Sequence, residues 1–126
     1  MKKVLTEGTR TLPSITFDAD SAELRIEGWS FSEKPQAIFD PVVRMIENYA
    51  IEQDKSIDVH VNLHCFNTAS GKCLMNVVQA AGGMKQANGR IIWHFDRDDE
   101  ETREWGEDIS HATGIPFEFI PYQKKA

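Results

Sequence analysis

Two periodicities meet near the middle of this chain, and their junction limits the fold more than any other feature. Ile57, Val59, Val61, Leu63 and Cys65 occupy every second position with polar residues between them, the pattern of a strand with one buried face. Further on, Leu74, Val77, Val78 and Ala81 recur at the i, i+3, i+4, i+7 spacing of a helix with one buried stripe. Between the two lies Phe66-Asn67-Thr68-Ala69-Ser70-Gly71-Lys72, so a helix is expected to start near Ser70 and to be capped by Thr68 or Ser70. Its first amides lack intrahelical partners and carry the positive end of the helix dipole, which favours a phosphate there. Chemistry alone leaves two readings open: an ordinary N-cap, or a phosphorylation switch.

The flanking segments repeat this alternation of strand and helix. Ile15-Thr16-Phe17 and Leu24-Arg25-Ile26, joined by Asp18-Ala19-Asp20-Ser21, predict a hairpin whose second strand ends at Gly28. Phe39-Asp40-Pro41 reads as an Asp cap with Pro at the first helical position, opening a helix to about Gln53 with Val42, Met45, Ile46 and Tyr49 as its stripe. The central strand runs over 57–66, and the helix after the junction runs to about Gln86, closed by Asn88-Gly89. Gly82-Gly83 inside that helix costs about 1 kcal/mol per glycine, so the helix ends early or something packs closely against it. Arg90 to Phe95 is a further strand, followed by an acidic helix with Trp105 and Ile109 as a narrow apolar stripe. Gly114-Ile115-Pro116 turns the chain into Phe117-Glu118-Phe119-Ile120, an edge strand flanked by prolines. The order ββαβαβαβ implies an α/β sandwich with a mixed sheet and right-handed crossovers between parallel strands.

With 126 residues, 40% of them hydrophobic, the chain is expected to form one domain, 1–126, that needs no disulfide or metal staple. Cys65 and Cys73 lie within apolar segments and read as small buried thiols of a reducing compartment. No run approaches transmembrane length and the N-terminus lacks an apolar leader core, which predicts a cytoplasmic protein with no membrane partner. The net charge of −6 argues against phosphate-driven nucleic-acid binding. Asp96, Asp98, Asp99, Glu100, Glu101, Glu104, Glu107 and Asp108, set against Arg97 and Arg103, carry that whole excess, and they read as a solvated helix face or a dock for a basic partner.

Catalytic signatures are sparse. His60 and His64 are four residues apart on a strand, about 13 Å, too far to share a metal unaided. His94 and His111 sit on other elements. Asp96-Arg97-Asp98-Asp99 lacks the Gly and closing Glu of a calcium loop, and Gly71-Lys72 lacks the Gly and the hydroxyl that a phosphate-binding loop requires at Phe66 and Cys73. A small metal-dependent hydrolase using His60, His64, His94 and Asp96 to Asp99 stands as one alternative, and a purely structural oligomerisation module as another.

Taken in order, Gly8-Thr9, Leu12-Pro13-Ser14-Ile15, Gly28 through Ser32-Glu33, Phe39-Asp40-Pro41 and Phe66 through Lys72 resemble the SiaC family of bacterial regulatory phosphoproteins. Trp93-His94-Phe95-Asp96, Trp105-Gly106-Glu107-Asp108 and Pro116-Phe117 extend the resemblance over nearly the whole chain. It implies a STAS-like fold similar to SpoIIAA and other anti-sigma-factor antagonists, no catalysis, and no cofactor or metal. It also implies phosphorylation at Thr68, with Ser70 as a secondary site, and contact of Asn67, Thr68, Ala69, Ser70 and Lys72 with kinase and partner. The family junction usually reads Asn-Thr-Ser-Ser, and Ala69 departs from it. The implied partners are a GGDEF diguanylate cyclase activated by the unphosphorylated form, a serine/threonine kinase and a PP2C-type phosphatase, with cyclic di-GMP and biofilm behaviour as output. An anti-sigma-factor antagonist in a partner-switching pathway would use the same site.

Overall fold

A computed structural model describes residues 2–83 and 89–123. Among these, strands β1 (Lys2–Thr6), β2 (Ser14–Asp18) and β3 (Glu23–Ser30) are followed by α1 (Gln36–Gln53), β4 (Asp58–Phe66), α2 (Thr68–Gly82), β5 (Ile91–Asp96), α3 (Glu100–Thr113) and β6 (Phe117–Tyr122). The sheet order is β1-β2-β3-β4-β5-β6, antiparallel through β3 and parallel from β3 to β6. Three successive crossovers step in one direction, so their right-handedness puts all three helices on the same face. Burial agrees: Val59, Val61, Leu63, Ile91 and Trp93 are enclosed with Phe39, Val42, Ile46, Leu74, Val77 and Val78 of the helices. The opposite face carries Arg25, His60, Asn62 and His94 in place of a second helical layer.

The predicted order ββαβαβαβ is present with one strand ahead of it. β1 escaped sequence detection because Lys2 and Lys3 interrupt any alternation, and charged residues are what an edge strand tolerates. β3 does not stop at Gly28. That residue, at φ +104°, lies where the register against β4 shifts by one residue, and the strand continues to Ser30. α1 begins one turn before the predicted Asp40-Pro41 start, with Pro35 at its N-cap and the Phe39 N–H bonded to the Pro35 carbonyl at 2.9 Å. Pro41 therefore lies inside the helix, and since Pro41 and Ala37 are both exposed, water can reach the carbonyl that the proline leaves unpaired. α2 ends at Gly82 rather than near Gln86. The predicted stop at Asn88 lies outside the described residues. Gly82 is held by close packing, because a Cβ there would lie 2.9 Å from Ile115 Cγ2.

α3 docks through a glycine. Thr102, Gly106 and Ile109 form its buried line, and a Cβ on Gly106 would lie 2.7 Å from Trp93 Nε1. The same indole N–H donates to the Thr102 carbonyl at 3.0 Å. Gly106→Ala should gain about 1 kcal/mol in helix propensity. It should lose more by overpacking the ring, for a net destabilisation of about 1–2 kcal/mol in urea denaturation. An unchanged or raised midpoint would show that the ring has room to move.

Candidate functional site

The strand-to-helix junction is built around Asn67. Its backbone is extended, at φ −84° and ψ 170°, and its Oδ1 accepts the Ser70 N–H at 2.9 Å, so Asn67 caps α2 in place of the predicted Thr68 or Ser70. Thr68 thereby becomes the first helical residue and its side chain is exposed, with Lys72 exposed one turn on. The first turn of α2 holds no acidic residue to neutralise the positive end of its dipole. Ser70 takes the opposite position: it is fully buried and accepts a hydrogen bond at 2.7 Å from the equally buried Ser30 hydroxyl of β3. A phosphate on Ser70 requires that contact to open first.

Two further bonds tie the junction to the end of β3. The Asn67 N–H donates to the Ser30 carbonyl at 3.0 Å, and the Asn67 Nδ2–H donates to the Ser32 carbonyl at 3.0 Å. Gly71 seats the helix on the strand, since a Cβ there would meet the Phe66 ring at 3.2 Å. Phe66 in turn packs edge-on to Trp105 at 5.1 Å and to Trp93 at 6.4 Å. Sequence reasoning missed Ser30 as part of this site. Its signal was a serine in phase with the buried Leu24 and Ile26.

The histidines come together otherwise than their spacing indicated. On the helix-free face, His60 Nδ1 of β4 lies 2.9 Å from His94 Nε2 of the adjacent β5, and His60 Nε2 lies 2.7 Å from Glu23 Oε2 of β3 on the other side, an ion-pair distance whose approach misses hydrogen-bond alignment. His64 stands apart, its ring centroid 4.9 Å from that of Trp29. Of the acidic run, Asp96 Oδ1 accepts the Asp98 N–H at 3.0 Å, and Asp99 caps α3 by accepting the Thr102 N–H at 3.2 Å and its hydroxyl at 2.8 Å. Among the described residues no three His, Cys, Asp or Glu side chains converge as metal ligands. Cys65 and Cys73 are free thiols, and burial pushes the Cys73 thiol up, with Asp40 adding to the shift.

Burial holds the His94 imidazole below its usual value, and the charges of His60 and Arg25 lower it further against the opposing pull of Glu27. A depressed histidine binds its proton less readily folded than unfolded. Its contribution to stability is therefore complete above the unfolded value of about 6.5 and is lost as pH falls from there through the folded value. The melting temperature should accordingly drop between about pH 7 and pH 5.5, and less steeply in His94→Gln. Glu23, held low by Ser21 and His60, loses its contribution only in the carboxylate range below that window. Equal slopes for wild type and variant would show that His94 is not the group responsible.

Among the described residues, then, the chain is a two-layer α/β fold that presents an exposed threonine at the first turn of its second helix. The model of the SiaC family regulatory phosphoprotein matches residues 6–122, and the chain belongs to that family. An uncharacterized protein of Pseudomonas aeruginosa (strain UCBPP-PA14) is 26% identical over 113 residues, 87% of this chain and 89% of that one. Among solved structures, apo-SiaC from Pseudomonas aeruginosa superimposes with a TM-score of 0.80 at 22% identity, covering 95% of this chain and 98% of that one. A chain of the complex between the diguanylate cyclase SiaD and its activator SiaC, from the same organism, gives 0.79 at 24% identity over 91% and 96%. These structural likenesses establish the fold.

Proposed function

We propose that this protein is a non-catalytic switch whose unphosphorylated form binds and activates a GGDEF-type diguanylate cyclase, and that phosphate on Thr68 releases the cyclase. The observation that carries this reading is the division of labour at the junction. Asn67 takes over capping and Ser70 is buried, so the exposed hydroxyl of Thr68 is left free for modification. Membership of a regulatory phosphoprotein family and the solved activator–cyclase complex of a similar fold support it.

A serine/threonine kinase writes the mark and a PP2C-type phosphatase removes it. Asn67, Ala69, Ser70 and Lys72 frame the site, and the protein acts in the cytoplasm on cyclic di-GMP output. Among the described residues no helix is long and apolar enough to cross a membrane. Incubation of the protein with ATP and lysate of its own host, followed by peptide mass spectrometry, should place phosphate on Thr68. Phosphate confined to another residue, or none under several growth conditions, would overturn the assignment.

A further inference from the structure

We propose that Asn67 is the positioning residue through which phosphate on Thr68 reaches the segment after β3, by surrendering the Ser70 amide and with it the tie to Ser32. The inference rests on the reading of Thr68 as the phosphoacceptor and adds how the mark is transmitted.

One carboxamide does two jobs at this junction. Its oxygen holds the Ser70 N–H of α2 at 2.9 Å, and its nitrogen holds the Ser32 carbonyl, beyond the end of β3, at 3.0 Å. The two bonds share one planar group, so turning the oxygen away from α2 also carries the nitrogen away from Ser32. Phosphate on Thr68 sits one residue from this group and brings three charged acceptors to a helix start whose Thr68, Ala69 and Ser70 amides have no intrahelical partner. A charge-assisted bond to an amide is about twice as strong as the neutral one that Asn67 makes, so the phosphate prevails in competition for the Ser70 N–H.

The segment that is then untied carries apolar surface. Phe31, whose N–H donates to the Thr11 carbonyl at 2.7 Å, is 40% exposed. The Ser30–Ser70 hydroxyl pair, fully buried, stays closed and confines the change to residues beyond Ser30. A mark on one residue thus alters the placement of an aromatic side chain that the phosphate itself does not cover.

The test needs no partner protein. Phosphothreonine is incorporated at position 68 by genetic encoding, and amide hydrogen exchange at residues 31–35 is followed by mass spectrometry in a peptide that begins at Gly28 or earlier, so that it reports the Phe31 and Lys34 amides, bonded to the Thr11 carbonyl and the Ser32 hydroxyl. Exchange there should rise about tenfold on phosphorylation, the scale set by loss of one or two hydrogen bonds. Asn67→Ser keeps a capping oxygen but is too short to reach Ser32, so the unmodified variant should show the same rise, and phosphate should add nothing to it. Unchanged exchange at 31–35 in the phosphorylated protein overturns the proposal whether or not the variant folds, and so does a rise in the variant that phosphate increases further. Cyclase binding measured on the same phosphoprotein separates the two ideas: binding lost with exchange unchanged removes only the Asn67 coupling, and binding retained with exchange raised removes only the switch reading.

Discussion

Phosphorylation of Thr68 is expected to weaken cyclase binding by about two to three orders of magnitude, which at about 1.4 kcal/mol per tenfold is about 3–4 kcal/mol. The effect should fall on binding and leave folding almost untouched, because the same phosphate meets different surroundings in the two states. In the free protein, Thr68 is exposed, the first turn of α2 holds no acid, and Lys72 lies one turn on, so a charge of about −1.5 to −2 is accommodated by amides, a cation and water. Under a partner docked over Thr68, as proposed above, the same dianion would have to shed water against a surface fitted to a neutral hydroxyl. Isothermal titration of phosphorylated and unmodified protein against the purified cyclase, with melting curves of both, separates these terms. Thr68→Ala should bind as wild type does. Thr68→Asp carries one charge and two oxygens and should lose about tenfold. Equal affinities for the phosphorylated and unmodified forms would sink the switch.

Trp93→Ala should be the most damaging single core substitution, at about 3–5 kcal/mol. The side chain is 1% exposed and sits where four elements meet. Its ring stacks on Phe117 of β6 at 6.0 Å, meets Phe66 of β4 edge-on at 6.4 Å, lies against Gly106 of α3, and donates to the Thr102 carbonyl at 3.0 Å. Truncation removes the ring that fixes α3, and the close-packed surroundings can collapse into the space only in part. A loss of this size is a large share of the roughly 5–15 kcal/mol typical of a domain, so the melting temperature should fall by about 10–20 °C. Trp93→Phe keeps most of the volume and gives up the N–H bond, for an expected cost of about 1–2 kcal/mol. If both substitutions cost the same, the indole bond rather than the ring packing anchors α3.

Both predictions start from residues visible in the sequence and depend on neighbours that are not. The exposed Thr68 was legible as a hydroxyl on a strand-to-helix junction. Which residue capped the helix was not, since Asn67, Thr68 and Ser70 are all competent caps and local propensity does not rank them. The backbone decided by placing Asn67 within reach of the Ser30 and Ser32 carbonyls. The His60–His94 contact was hidden for a related reason: the two residues are 34 positions apart, and only the pairing of β4 with β5 in the sheet aligns them.

Periodicity by itself determined the hairpin, the β4-α2 junction, the three helices and the edge strand β6, which runs on through Pro121 to Tyr122 instead of stopping before the proline, because apolar spacing over several residues reports which face each element must bury. It also determined that the junction carries hydroxyl side chains at Thr68 and Ser70. The start of α1 at Pro35, the extension of β3 past Gly28, the edge strand β1, and the separation of an open Thr68 from a sealed Ser70 were decided only in the tertiary structure. Each of these turns on a contact between segments distant in sequence, where the energy of burial or of a shared hydrogen bond exceeds the small differences in local preference among neighbouring residues.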